Sequence, residues 1–227
     1  MESPKHILST FDEALTILRN DVLTMSTLTT RSLDNALNGL ERRDDELCLQ
    51  TIADDEEINQ FEKQIDKDGI KVLLRFQPVA SDLRRVVAAM KLSPNLERIA
   101  DESVALARRA RKLARHPRLA EADLIRPMGE FVREMVADSV QSYIREDVEL
   151  GRALKPRDKE LDALNKEVAR RLLARAAEDS EQLRGYLNLL FIARHIERIG
   201  DHATNIGEDA VYAAVAEDIR HQPFVAE

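Results

Sequence analysis

Apolar residues recur through long stretches of the chain at the spacing of one face of an α-helix. The pattern is interrupted mainly at proline, glycine and asparagine, which are the usual residues of turns. Short runs that alternate apolar and polar residues, typical of a half-buried strand, are hard to find. The pattern therefore predicts an all-α fold without a sheet.

Six long helices are predicted, and their ends lie at the residues that break the pattern. Asn38-Gly39 is expected to end the first helix, Pro78 to open the third, and Pro127 to lie in or near the first turn of the fourth. Asp179 and Ser180 offer caps for the sixth. The predicted helices cover approximately residues 7–37, 42–76, 78–116, 123–145, 147–177 and 179–216.

The two halves of the chain repeat one another. Residues 97–101 read ERIAD and residues 197–201 read ERIGD, an identity at four of five positions with an offset of 100. Residues 55–59, DEEIN, match residues 158–162, DKELD, with an offset of 103. A repeat of this length predicts two copies of one supersecondary unit. We expect two tandem three-helix bundles, residues 1–117 and 118–227.

Charge and composition narrow the classes of function. The net charge is −8, whereas a domain that binds duplex nucleic acid normally carries a basic excess, so nucleic-acid binding is disfavoured. The basic stretch 108–118 fits an anionic partner or a lipid surface, although the solvated end of a helix is the commoner explanation. The single cysteine, Cys48, excludes an internal disulfide and fits a reducing compartment. Without an 18-residue apolar run or a signal peptide, a cytoplasmic protein without membrane insertion is expected.

Acidic side chains form stripes on four of the predicted helices, because residues four and seven apart share a helix face. Like charges at this spacing destabilise an isolated helix, and here the arrangement occurs in both repeats. The stripe positions are Asp55, Asn59, Glu62 and Asp66 on the second helix, Glu97 and Asp101 on the third, Asp158, Asp162 and Asn165 on the fifth, and Glu197, Asp201 and Glu208 on the sixth, with Asn205 at the edge of the last.

Two neighbouring acid stripes repel each other unless cations bridge them. Carboxylate and amide oxygens are ligands for hard and borderline cations. The candidates are iron, magnesium, manganese, calcium and zinc, although the lack of thiolates excludes the usual structural zinc patterns. Several ions per site are expected, with Asn205 and Glu208 as possible additional ligands. The alternative is a helical scaffold whose acid stripes are only solvated.

Other residues near the stripes are assigned packing roles. Gly200 costs about 1 kcal/mol relative to alanine inside a helix, which suggests a steric need for a small residue. His202 follows Asp201 but lies 100° further round the helix, and His195 is likewise turned away from Glu197. Neither histidine is expected to be a metal ligand.

The strings ERIGDHATNIGED, residues 197–209, and FQPVASDLR, residues 76–84, carry a family resemblance. At these residues the chain resembles the PhoU family of the bacterial phosphate-specific transport system. The resemblance implies a homodimer with two three-helix bundles and metal clusters, often of iron. It also implies a negative regulator of phosphate uptake and of the phosphate-starvation response. Its partners would be the ATPase subunit of the transporter and a membrane sensor histidine kinase.

Carried over by position, the family's acidic motif falls on residues of both repeats. It matches Asp158, Asp162, Glu197 and Asp201 in the second repeat, and Asp55, Glu97 and Asp101 in the first. Three residues of the first repeat depart from the second. Asn59 replaces an acid, which implies fewer ions or reliance on Glu62; Arg108 stands where the second repeat has Glu208; and Pro94 is expected to kink its helix.

Two other functions are considered. A ferritin-like di-iron enzyme needs Glu-x-x-His on two core helices, and here Ile192 and Ile199 stand three residues before the two histidines. The motif is absent, which disfavours this enzyme, and the resemblance to the PhoU family implies a regulator and not an enzyme. The second alternative is a PhoU-like, metal-binding regulator of another transporter or kinase.

Overall fold

The computed structural model describes the backbone of residues 4–220 and the side chains of residues 10–220. That part of the chain contains seven α-helices, two short 3-10 turns and no β-strand. The helices are α1 (Pro4–Arg42), α2 (Asp45–Ala53), α3 (Asp55–Phe76), α4 (Ala80–Ala114), α5 (Arg126–Arg145), α6 (Val148–Glu178) and α7 (Leu183–Val215). The prediction of an all-α protein with six long helices is confirmed, and α2 is an additional short helix.

The prediction of one helix over residues 42–76 is wrong, because the chain leaves the helix at Asp54 and divides it into α2 and α3. Asp44 caps α2 and accepts hydrogen bonds from the backbone N–H groups of Glu46 and Leu47 at 2.9 and 3.2 Å. The acids that follow Asp54 then occupy the first turn of α3, where they face the positive end of the helix dipole.

Gly39 does not end the first helix as predicted. Helix α1 continues to Arg42 and ends where Arg43 adopts a left-handed conformation with φ of 56°. Gly39 has a packing role instead, since a Cβ added to it would lie 2.5 Å from the Sγ atom of Cys48. The glycine allows α2 to pack closely on α1.

The prolines and caps give mixed outcomes. Pro127 lies in the first turn of α5 as predicted. Pro78 does not open α4, because Gln77 ends α3 in the left-handed region and α4 begins at Ala80. Asp179 caps the 3-10 turn before α7, accepting from the N–H of Gln182. Helix α4 is continuous through Pro94, and the kink expected there stays a prediction.

The long helices form two bundles, with α1, α3 and α4 in the first and α5, α6 and α7 in the second. The most extensive helix interface joins α4 to α7 and so holds the two bundles together. One hydrophobic core extends through both, from Leu18 in α1 to Ile206 in α7. The predicted boundary between residues 117 and 118 falls in the connection from α4 to α5 and stays a prediction; residues 1–3 and 221–227 of the predicted repeats lie outside the described residues.

Each helix buries its apolar stripe, which is the main source of its stability. Within residues 4–220, no helix is long and apolar enough to cross a membrane.

Candidate metal centres

Helices α6 and α7 approach each other closely beside the acid stripe of the second repeat. A Cβ on Gly151 would lie 2.9 Å from the backbone oxygen of Gly207, and a Cβ on Gly207 would lie 3.0 Å from that of Gly151. Further along, a Cβ on Gly200 would lie 2.4 Å from Cδ2 of the fully buried Leu161. The steric need inferred for Gly200 therefore has a partner, and the glycines bring the acids of the two helices together.

The second acid group consists of five carboxylates on α6 and α7: Asp158, Asp162, Glu197, Asp201 and Glu208. Burial and the charge of Asp201 raise the pKa of Glu197 to about 7. Burial, with the charges of Asp201 and Asp162, raises the pKa of Asp158 to about 6. The pKa of Asp201 is raised as well, by burial and by Asp162. These mutual effects mean that the carboxylates predicted as ligands share one region and repel each other there.

Glu197 lies at the centre of this group, with 7% of its surface exposed. Its Oε1 atom pairs with Arg194. Its Oε2 atom is buried and accepts no hydrogen bond from any described residue. A buried carboxylate oxygen without a partner is costly in a folded protein. A bound cation would be a suitable partner for this atom.

The first acid group lies on α3 and α4 and consists of Asp55, Glu62, Glu97 and Asp101, with Asn59 beside Asp55. Burial and Asp101 raise the pKa of Glu97 to about 7. Burial and Asp101 also raise the pKa of Asp55, although the positive charge of Arg108 opposes them. Asp55 Oδ1 is another buried oxygen with no hydrogen bond among the described residues. The two repeats thus share one feature, a buried carboxylate oxygen without a hydrogen bond among the described residues.

The donors of both groups fit a hard cation, because all are carboxylate or amide oxygens and each group contains one buried oxygen without a partner. Among the described side chains, however, no three acids, histidines or cysteines already converge in the arrangement that holds a metal ion. The roles of the nine predicted ligands stay predictions.

The remaining stripe residues differ in their surroundings. Glu208 lies 3.7 Å from the Nζ atom of Lys155. Asn205 is exposed, and its Nδ2 atom lies 3.4 Å from Asn95 Oδ1 on α4, so it faces the neighbouring repeat. Asp66 is exposed and Asn165 is half-buried.

The two histidines of α7 face α4 and not the second acid group. His195 Nδ1 lies 2.6 Å from Oε2 of Glu102, and His202 Nδ1 lies 3.2 Å from Oδ1 of Asn95. Arg198 completes the cluster, with its Nη1 atom 2.8 Å from Glu102 Oε1. Burial alone would raise the pKa of Glu102, but the hydrogen bond from His195 and the charge of Arg198 lower it below its ordinary value.

Sequence reasoning missed the role of Glu102, which is only 6% exposed. The repeat offered a signal, because Glu102 and His202 stand at matching positions of the two repeats, and so do Asn95 and His195. The contacts of His195 with Glu102 and of His202 with Asn95 therefore join the same two pairs of matching positions.

With this geometry established, comparisons with known proteins decide the family. The PhoU domain family model matches residues 22–110 and again residues 125–210. The chain belongs to the PhoU family. Each of the two PhoU matches includes all the residues of one acid group.

Relatives in the PhoU family match over nearly the whole length. The phosphate-specific transport system accessory protein PhoU homolog of Pseudomonas putida is 35% identical over 217 residues, which are 95% of this chain and 85% of that protein. PhoU of Escherichia coli K12, under the same accessory-protein name, is 30% identical over 217 residues, 96% of this chain and 90% of that protein.

Solved PhoU structures share the fold. The crystal structure of PhoU from Pseudomonas aeruginosa aligns with a TM-score of 0.87 at 34% identity, covering 91% of this chain and all of that one. The phosphate transport system regulatory protein PhoU from Streptococcus pneumoniae aligns with a TM-score of 0.84 at 26% identity, covering 92% of this chain and 99% of that one.

Proposed function

We propose that this protein is a negative regulator of phosphate uptake and of the phosphate-starvation response, acting in the cytoplasm and not as an enzyme. The observation that carries the proposal is that both repeats match the PhoU family and that relatives named as phosphate-transport accessory proteins align over 95% of the chain. Names of relatives as accessory or regulatory proteins support a regulator in preference to a catalyst.

The protein acts as a helical adaptor between the ATPase subunit of a phosphate transporter and a sensor histidine kinase, as a homodimer. Exposed apolar side chains support contact with protein partners, because contiguous apolar surface commonly marks an interaction site. Leu74, near the end of α3, is 76% exposed, and Val79, in the connection to α4, is 75% exposed; Ile70 lies one turn before Leu74.

Metal ions belong to this function as structural elements. The ligands in the second repeat would be Asp158, Asp162, Glu197 and Asp201, with Glu208 and Asn205 as additional donors; those in the first would be Asp55, Asn59, Glu62, Glu97 and Asp101. A bound cation would neutralise carboxylates that otherwise repel each other and would tie neighbouring helices together. The unpartnered oxygens of Glu197 and Asp55 support this assignment, and iron is the ion that the family resemblance implies.

Deletion of the gene tests the regulatory function. In medium rich in phosphate, the deletion strain is expected to express phosphate-starvation genes that the parent strain represses, and the wild-type gene supplied in trans should restore repression. Unchanged expression in the deletion strain would contradict the proposal. A change in the uptake of a different solute, with phosphate genes unaffected, would favour the alternative of a regulator for another transporter.

A further inference from the structure

A cleft of about 320 Å³ lies at the end of the molecule where the two repeats join. It is bounded by the end of α1, the end of α4, the connection that crosses from α4 to α5, and the first turns of α5. Ligand pockets of proteins occur preferentially at such junctions. We call it the junction cleft, and its apolar lining includes Leu37, Leu40, Leu113, Leu119, Ile125 and Leu189.

The walls of the junction cleft are held in place by polar contacts. The guanidinium of Arg43 donates to the backbone oxygens of Leu113, Ala114 and His116, and so caps the end of α4. Glu121, in the 3-10 turn of the connection, pairs with Arg175 of α6 at 2.6 Å. The cleft is therefore formed before any ligand enters, which lowers the entropic cost of binding.

Basic residues outnumber acidic residues in the lining of the cleft, and not all of the basic residues are paired. Four arginines and two acids contribute to it. Arg43 is occupied by helix carbonyls, and Arg118 pairs with Asp123 at 2.6 Å. Arg42 and Arg126 are exposed, and their guanidinium groups make no ion pair or hydrogen bond with the described part of the chain. The second acid, Glu41, leaves an excess of two positive charges around the cleft.

An apolar floor with free guanidinium groups at the rim defines the chemistry of a ligand. We propose that the junction cleft binds a small amphipathic anion, a carboxylate or phosphate monoester with an alkyl tail of about eight to ten carbons. Guanidinium groups bind both kinds of head group through paired hydrogen bonds. The tail length follows from the volume of the cleft. A methylene group is about the size of a water molecule, which takes about 30 Å³, so the cleft holds roughly ten methylene groups.

The proposal goes beyond the regulatory function, because the junction cleft is separate from both acid groups in the chain. None of the predicted metal ligands lines it. A metabolite with an acidic head and a short alkyl tail would bind where α1, α4 and α5 meet, and so would stabilise one arrangement of the two repeats.

Calorimetric titration of the full-length protein with decanoate tests the proposal. Binding is expected for decanoate and for decyl phosphate, with no measurable binding of acetate. Along the series from butanoate to decanoate the affinity should rise by about fourfold for each methylene, as expected when alkyl surface leaves water. The double variant R42Q/R126Q should lose about tenfold in affinity for decanoate and should bind neutral decanol like the wild type.

Two further variants keep the result interpretable. R145Q/R184Q removes two exposed arginines elsewhere and should leave decanoate binding unchanged. Ala122→Phe fills the cleft and should weaken decanoate and decanol equally, with circular dichroism confirming that the variant is folded. Equal losses in both arginine pairs would overturn the proposal. So would an absence of binding, or binding to phosphatidylglycerol vesicles without binding to monomeric decanoate, which would make this end a lipid surface.

Discussion

His195 of α7 lies 2.6 Å from Glu102 of α4, and this contact joins the two repeats in the interior of the protein. Arg198 binds the other carboxylate oxygen of Glu102 at 2.8 Å. Glu102→Ala should therefore lower the free energy of unfolding by about 2–3 kcal/mol, because two polar partners lose their acceptor. Denaturant titration measures the loss, with Glu130→Ala at an exposed position of α5 as the control. Equal stability of the two variants would contradict this role.

The close approach of α6 and α7 gives a second prediction. Gly151→Ala should destabilise the protein by about 1–3 kcal/mol, although alanine favours helix, because the new Cβ would lie 2.9 Å from the backbone oxygen of Gly207 and 2.8 Å from Val211. Thermal unfolding compares it with Gly129→Ala. At Gly129 the nearest atom is a side-chain carbon of Leu37 at 3.1 Å, so a small effect is expected. A more stable Gly151→Ala protein would show that the helices can separate at no cost.

These contacts show what the sequence could and could not predict. Hydrophobic spacing and the internal repeat predicted the helices and the acid stripes, because both are local properties of the chain. Spacing does not reveal which helices pack together, so it does not predict the interface between α4 and α7. The repeat places Lys91 and Phe191 at matching positions, and likewise Arg109 and Asp209. Both contacts cross the interface between α4 and α7: Lys91 pairs with Asp209 at 2.8 Å, and the guanidinium of Arg109 stacks on the Phe191 ring at 4.2 Å.

The missed boundaries have a similar physical cause. Gly39 reads as a helix terminator in isolation, but the approach of Cys48 from α2 gives the glycine another use. Tertiary packing thus overrides a local signal. Asp55 is predicted as part of an acid stripe, and together with Glu56 and Glu57 it also occupies the first turn of a new helix, where the helix dipole favours acids.

The metal assignment predicts a loss of bound metal when the second acid group is neutralised. The double variant E197Q/D201N keeps the side-chain shapes and removes two carboxylates, so purified protein should retain less than half of the metal of the wild type. Inductively coupled plasma mass spectrometry measures the content per chain. E130Q/E181Q, which changes two exposed acids elsewhere, is the control for charge. Equal metal content in both variants would sink the assignment.

The raised pKa values predict how the metal-free protein responds to pH. Glu97 and Glu197 have pKa values of about 7 in the folded chain against an ordinary value of 4.5. Between these limits the folded chain holds protons that the unfolded chain releases, so the free energy of unfolding should fall as the pH rises from about 4.5 to 7. The fall should be on the order of a few kcal/mol. Denaturant titration with a chelator across this range measures it.

The variant E97Q/E197Q provides the test of cause. Glutamine does not titrate, so the slope of stability against pH should become much shallower over the same range, while E130Q/E181Q should keep the wild-type slope. A slope that persists in E97Q/E197Q would assign the effect to other groups.

Arg108 makes the first repeat unequal to the second. Its charge opposes the rise in the pKa of Asp55, and Glu208 stands at the matching position of the second repeat. Arg108→Glu removes a cation from the neighbourhood of Asp55 and adds a carboxylate, so the first acid group should attract metal more strongly. In the E197Q/D201N background, where the second group is depleted, the variant should raise the metal content per chain. Arg115→Glu, at the residue that follows the end of α4, makes the same change of charge away from Asp55 and should leave the content unchanged. If both substitutions raise it equally, net charge governs metal uptake and the residue facing Asp55 does not.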